Sequence, residues 1–141
     1  MKKSLLLLAA LVLTFVGGAA SAFAQDAIVK VRIPFDFTVL NSALPAGNYT
    51  VSKLTADSWA IRNDDTGKAM AAVATSYGVN RDDNFGALVF KQFGSSYFLS
   101  EVHCLGSTSS LPTSKAERAL EREMARNGSK PQSVSVLASA R

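Results

Sequence analysis

The stretch Ala27-Ile28-Val29-Lys30-Val31-Arg32-Ile33-Pro34-Phe35-Asp36-Phe37-Thr38-Val39 decides how the rest of the chain is read. Every odd position in it is apolar, whereas the even positions include Lys30, Arg32, Asp36 and Thr38. Successive strand side chains leave opposite faces of a sheet, so a period of two yields one apolar and one wet face, as an antiparallel sheet covered on one side requires. Pro34 cannot donate to a strand ladder. It predicts an edge position or a bulge at which the chain bends from one sheet to another.

Working outward, Leu44-Pro45-Ala46-Gly47 carries Pro where a turn wants a fixed φ and Gly at its end, and residues 48–54 are rich in strand formers, which together predict a hairpin. Trp59-Ala60-Ile61 reads as a short third strand, and the turn cluster Asn63-Asp64-Asp65-Thr66-Gly67 leads into a fourth over residues 68–77. After a polar loop over residues 78–86, strands over 87–93 and 97–104 flank Gly94-Ser95-Ser96. Six strands at short intervals predict a mainly β domain over residues 25–106, a small antiparallel β-barrel or β-sandwich. A seventh strand is added if residues 132–137, around Val134-Ser135-Val136, pair instead of fraying within the tail of residues 129–141.

Residues 107–113 read as a Ser-rich linker, and Ser114-Lys115-Ala116-Glu117 then matches a capping box. An amphipathic helix is expected over residues 114–128, with Ala116, Leu120 and Met124 as its apolar stripe and Asn127-Gly128 as its stop. A short helix of this kind reads as a lid on the parent sheet.

The first 24 residues read as an address. Lys2 and Lys3 precede an apolar run over residues 5–16, and small residues lead to Ala22-Phe23-Ala24, so a secretory signal peptide (residues 1–24) is expected, cut between Ala24 and Gln25, with Ala20-Ser21-Ala22 as the alternative site. The run is shorter than the ~20 residues that span a bilayer, which argues against stable membrane insertion after cleavage. The expected location is periplasmic or extracellular.

The whole chain has 141 residues, one Cys, one His and a net charge of +4, falling to +2 once residues 1–24 are removed. One Cys excludes an intramolecular disulfide framework, and the length leaves room for one ordinary domain. Residues 25–110 hold seven basic and eight acidic groups, whereas residues 111–141 hold six basic and three acidic. No basic groove interleaved with aromatics stands out, so nucleic acid is not an expected partner. The mild basicity of the tail reads as a solvated helix face, with an anionic membrane surface as the alternative.

Ile33-Pro34-Phe35-Asp36-Phe37 with Val39, then Leu44-Pro45-Ala46-Gly47 with Tyr49 and Val51, resembles a family of small exported bacterial proteins of uncharacterised function. Tyr97-Phe98-Leu99-Ser100 with Val102, and Leu111-Pro112 with Ser114, Ala116, Glu117 and Arg118, are similar to that family's closing hairpin and helix entry. The Ser-rich run over residues 107–110 is looser than the family's usual connection. The resemblance implies export and a β-rich fold, and brings no catalytic residues.

The search for chemistry returns mostly absences. His103 and Cys104 are adjacent, but neighbours on one strand leave opposite faces and cannot converge on one atom, and no second His or Cys completes a metal site. Cys104 is read as a small buried hydrophobe, with an intermolecular disulfide as the sharper alternative. Asp64-Asp65 and Asp82-Asp83-Asn84 are oxygen-rich loops that read as turns; as alternatives they form a calcium site or a carboxylate pair for glycoside chemistry. No nucleophile elbow, phosphate loop or dinucleotide fingerprint is present. The aromatic group around Phe35, Phe37, Trp59 and Phe90 supplies either a filled core or a candidate ligand pocket. The chain is therefore expected to be a non-enzymatic envelope domain, without cofactor or metal, whose role is binding or structural. A lipocalin-like carrier of a small apolar molecule and a hydrolase using the acidic loops are the alternatives, and an envelope protein is the other candidate partner.

Overall fold

The computed structural model describes residues 28–79, 85–104 and 106–138. The expected signal peptide with its Ala24/Gln25 junction, and the Asp82-Asp83-Asn84 run, lie outside the described residues. Eleven strands and one helix are described: β1 (Ile28–Ile33), β2 (Phe37–Val39), β3 (Ser42–Leu44), β4 (Gly47–Thr55), β5 (Ser58–Asn63), β6 (Ala69–Val73), β7 (Thr75–Val79), β8 (Ala87–Phe93), β9 (Ser96–Cys104), β10 (Ser107–Ser110), α1 (Lys115–Arg126) and β11 (Gln132–Leu137). They form a four-stranded sheet, ordered β1-β4-β5-β6, and a larger sheet, ordered β11-β8-β9-β10-β7, to which β2 and β3 are joined through β9. The architecture is mainly β and two-sheeted, consistent with a sandwich; the described strands do not close into a barrel.

The bend expected at Pro34 is present. β1 pairs antiparallel with β4 in the small sheet, while β2, three residues past β1, pairs with β3 and, in parallel at Thr38 and Phe98, with β9 of the large sheet. The expected first hairpin is thereby corrected: β1 and β4 are antiparallel neighbours, but the β2–β3 excursion separates them, and Pro45-Ala46 carries the chain back to the small sheet. A second crossing occurs at Ala74, where the run expected as one strand divides into β6 in the small sheet and β7 in the large one. These divisions add three strands to those expected, and β10, in the expected linker, completes the eleven.

The linker expected over residues 107–113 is also corrected. Residues 107–110 form β10, which pairs with β9 from Ser107↔Cys104 to Ser110↔Glu101 and with β7 on its other side. Hydropathy could not reveal this strand, because backbone pairing on both edges holds it, and Ser109 is small enough to be fully buried between its neighbours. Gly106 makes the tight return from β9 at φ 76°. β11 pairs with β8 over its whole length, from Gln132↔Gln92 to Leu137↔Ala87, so the tail supplies the additional strand.

Inner faces follow the odd positions of the opening stretch: Val29, Val31, Ile33, Phe37 and Val39 are all buried. They meet Tyr49, Val51, Trp59 and Ile61 of the small sheet and Leu88, Phe90, Leu99 and Val102 of the large one in a single core cluster. α1 starts where expected. The Ser114 hydroxyl accepts from the Glu117 backbone N–H at 3.1 Å, and Asn127 caps the other end. Its inward face differs from the expected stripe, however: Ala116 is exposed, and Glu117, Leu120, Glu121 and Met124 are the covered positions. Lys91 Nζ of β8 draws that face down, lying 3.2 Å from Glu117 and 3.0 Å from Glu121.

Candidate functional site

The aromatic group is the best candidate, and its geometry is that of a packed interior. Phe35 stacks on Tyr97 with centroids 3.9 Å apart and meets Phe90 edge-on at 5.2 Å. Phe37 meets Tyr49 at 5.1 Å and Phe90 at 5.4 Å, both edge to face. Aromatic pairs at these separations are in contact, so each ring occupies the space that a ligand beside its neighbour would need. Phe35, Phe37 and Phe90 are therefore brought together. Trp59 belongs to the same core but makes no ring contact with them among the described residues; its partner is Lys53, whose Nζ lies 5.9 Å from the indole centroid. The Trp59 Nε1 proton is buried without an acceptor.

Beside these rings the two turn motifs lock onto each other. The Asp36 carboxylate accepts the Ala46 backbone N–H at 2.8 Å, and the Tyr49 hydroxyl donates to the Pro45 carbonyl at 2.6 Å. These turn residues thus hold the point where the chain leaves one sheet and re-enters the other. Burial pushes the Tyr49 phenol above its ordinary pKa, against an opposing hydrogen bond from Asn63.

The Asp64-Asp65 turn is equally occupied. Asn63, itself buried, accepts the backbone N–H groups of Asp65 and Thr66, each at 2.9 Å. Asp65 accepts from the Asn48 backbone at 3.1 Å and from its side chain at 3.2 Å, which holds its carboxyl below the usual range. Asp64 accepts from the Thr50 hydroxyl at 2.8 Å and lies 3.6 Å from Arg62 Nε. These carboxylates hold β4 to the β5–β6 turn. Among the described residues, no group of three or more His, Cys, Asp and Glu is arranged to hold a metal.

His103 and Cys104 diverge as strand geometry requires. His103 Nε2 lies 2.8 Å from Glu101 Oε2 on the outer side, whereas Cys104 is 4% exposed within the core. Burial pushes the Cys104 thiol up, against the opposing influence of Lys53. A thiol so placed is a poor nucleophile, and cross-linking requires it to leave the core.

Open grooves lie elsewhere. One, of about 560 Å³, runs between the β2–β3 turn at Leu40-Asn41 and the start of α1. Another, of about 470 Å³, crosses the outer face of the small sheet between Lys30 and Arg62. No described helix is long and apolar enough to cross a membrane. Comparison of the chain with family models, curated proteins and solved structures returns no match.

Proposed function

We propose that this chain is an exported, non-enzymatic β-sandwich domain with a binding or structural role in the bacterial cell envelope, periplasmic or extracellular, and a member of the small exported family its turn motifs resemble. One observation carries the reading: among the described residues, most of the side chains with chemical potential are engaged in holding the fold. Asp36 and Tyr49 fasten the sheet-to-sheet turn, Asp64 and Asp65 fasten β4, and Cys104 is core. The outer surfaces are then left to meet partners.

Native mass spectrometry of the protein recovered from an exporting host without reductant tests this. The expected species is a bare chain beginning at Gln25. Retention of residues 1–24 removes export from the proposal, and a doubled mass lost on reduction assigns Cys104 to an intermolecular bond.

The apolar-carrier reading keeps one observation in its favour, the buried Trp59 Nε1 without an acceptor, since an orphaned donor of this kind costs about 1–3 kcal/mol and a ligand acceptor would relieve it. It predicts extra mass lost on denaturation and a change in Trp59 fluorescence with a hydrophobic probe. An unchanged spectrum at saturating probe removes it.

A further inference from the structure

The outward face of α1 carries a stripe of exposed cations. Lys115, Arg118, Arg122 and Arg126 are spaced by three, four and four residues, which at 3.6 residues per turn places them within about 80° of one another along ~16 Å of helix. All four are exposed. The covered positions Glu117, Leu120, Glu121 and Met124 lie on the opposite side. Two of the helix's three acids, Glu117 and Glu121, are therefore turned inward and bound to Lys91, and only Glu123 remains, flanking the stripe. None of the four cations has an ion-pair partner within 4 Å among the described residues. The inward ion pairs thus do more than dock the helix: they strip its outer face of compensating charge.

Resting on the binding role proposed above, we infer that this stripe is a docking surface for an anionic phospholipid membrane. Guanidinium groups pair bidentately with phosphate and shed water more readily than ammonium, and three of the four cations are Arg. No aromatic side chain lies within the stripe to stack bases, as single-stranded nucleic acid would want. A fluid surface brings one headgroup to each cation without needing a groove. Leu120 and Met124 face inward, so attachment is electrostatic and peripheral, without insertion.

The test is sedimentation of the protein recovered from the exporting host with vesicles of phosphatidylcholine, alone or with about 30% phosphatidylglycerol. Binding is expected to the acidic vesicles only, with release at ~0.5 M salt, where exposed charges are screened. A cation at such a surface is worth about fivefold in affinity, so R118Q/R122Q/R126Q should lose about 100-fold with its circular dichroism and melting unchanged. R118K/R122K/R126K should retain most binding, and K30Q/R32Q/R62Q, which removes as many charges from the outer face of the small sheet, should retain it too. If the triple Gln variant melts early, Arg122→Gln alone is read, with about a fivefold loss expected.

The inference is overturned by a wild type that ignores acidic vesicles, by a Gln variant that binds as well as wild type, or by equal loss in the small-sheet variant. Binding to a soluble polyanion such as heparin without vesicle binding also overturns it, in favour of an anionic polymer. A vesicle-negative protein that still carries a partner in native mass spectrometry defeats the membrane surface while leaving the binding role intact.

Discussion

Tyr49 is 1% exposed, yet its hydroxyl reaches the Pro45 carbonyl at 2.6 Å while its ring meets Phe37 edge-on. Tyr49→Phe keeps the ring and removes the bond, so equilibrium denaturation should show a loss of about 1 kcal/mol, with a lowered midpoint and an unchanged slope. The same residue sets a pH dependence. Its phenol titrates above the ordinary value of 10.0 in the fold, so the folded state holds the proton more tightly than the unfolded chain. The stabilisation is complete below pH 10 and is lost as pH rises through the higher folded value. Stability of the wild type should therefore fall in alkali, and Tyr49→Phe should fall less steeply; parallel profiles would place the alkaline loss elsewhere. Asp65 acts in the opposite sense, its lowered value adding stability that disappears as pH drops below the ordinary carboxylate range.

Among the elements, α1 depends on a cap and an ion-pair anchor more than on an apolar stripe. Ser114→Ala removes the acceptor for the Glu117 N–H and should cost about 1 kcal/mol, read by thermal melting. Lys91→Met leaves the Glu117 carboxylate, whose side chain is 5% exposed, without its cation. The Lys91 side chain is 33% exposed and partly screened, so a loss of about 1–2 kcal/mol is expected, below the range for fully buried pairs. Burial alone would favour the neutral Lys91 amine, but Glu121 and Glu117 outweigh it and hold the ammonium above its usual range. Its contribution is accordingly present at neutral pH and fades only in strong alkali. Hydrogen exchange should show α1 opening in Lys91→Met before the strands do; uniform protection across the chain would mean that the anchor is not local.

For the whole molecule, the deciding contact is the approach of the two sheets beside Gly86. The Gly86 backbone carbonyl accepts the Ala138 N–H at 2.8 Å, and a Cβ at Gly86 would lie 2.9 Å from Val29 Cγ2 and 3.2 Å from Ala138 Cβ. Val29 is 1% exposed and stiff at χ1, so it has little room to yield. Gly86→Ala should push β1 away from β11 and cost about 1–3 kcal/mol, measured by urea denaturation. A neutral substitution would show that this seam is looser than its geometry implies.

Much of this fold is legible along the chain. The period of two in the opening stretch determines which of its side chains are core, because strand geometry is local. The capping box places the start of α1 for the same reason, and the strand geometry that separates His103 from Cys104 can be read without any structure. Other features were decided only when distant segments met. β10 is nearly all Ser, and its strand state comes from hydrogen bonds to β7 and β9. Ala116 and Glu117 exchange their expected places because Lys91, remote in sequence, pairs with the acid. The Phe35, Phe37 and Phe90 rings come from β8 and the β1–β2 crossing, so only their packing against one another shows how that space is used. Backbone periodicity and caps are properties of a few consecutive residues; ion pairs, ring contacts and strand neighbours depend on which segments the two sheets bring together.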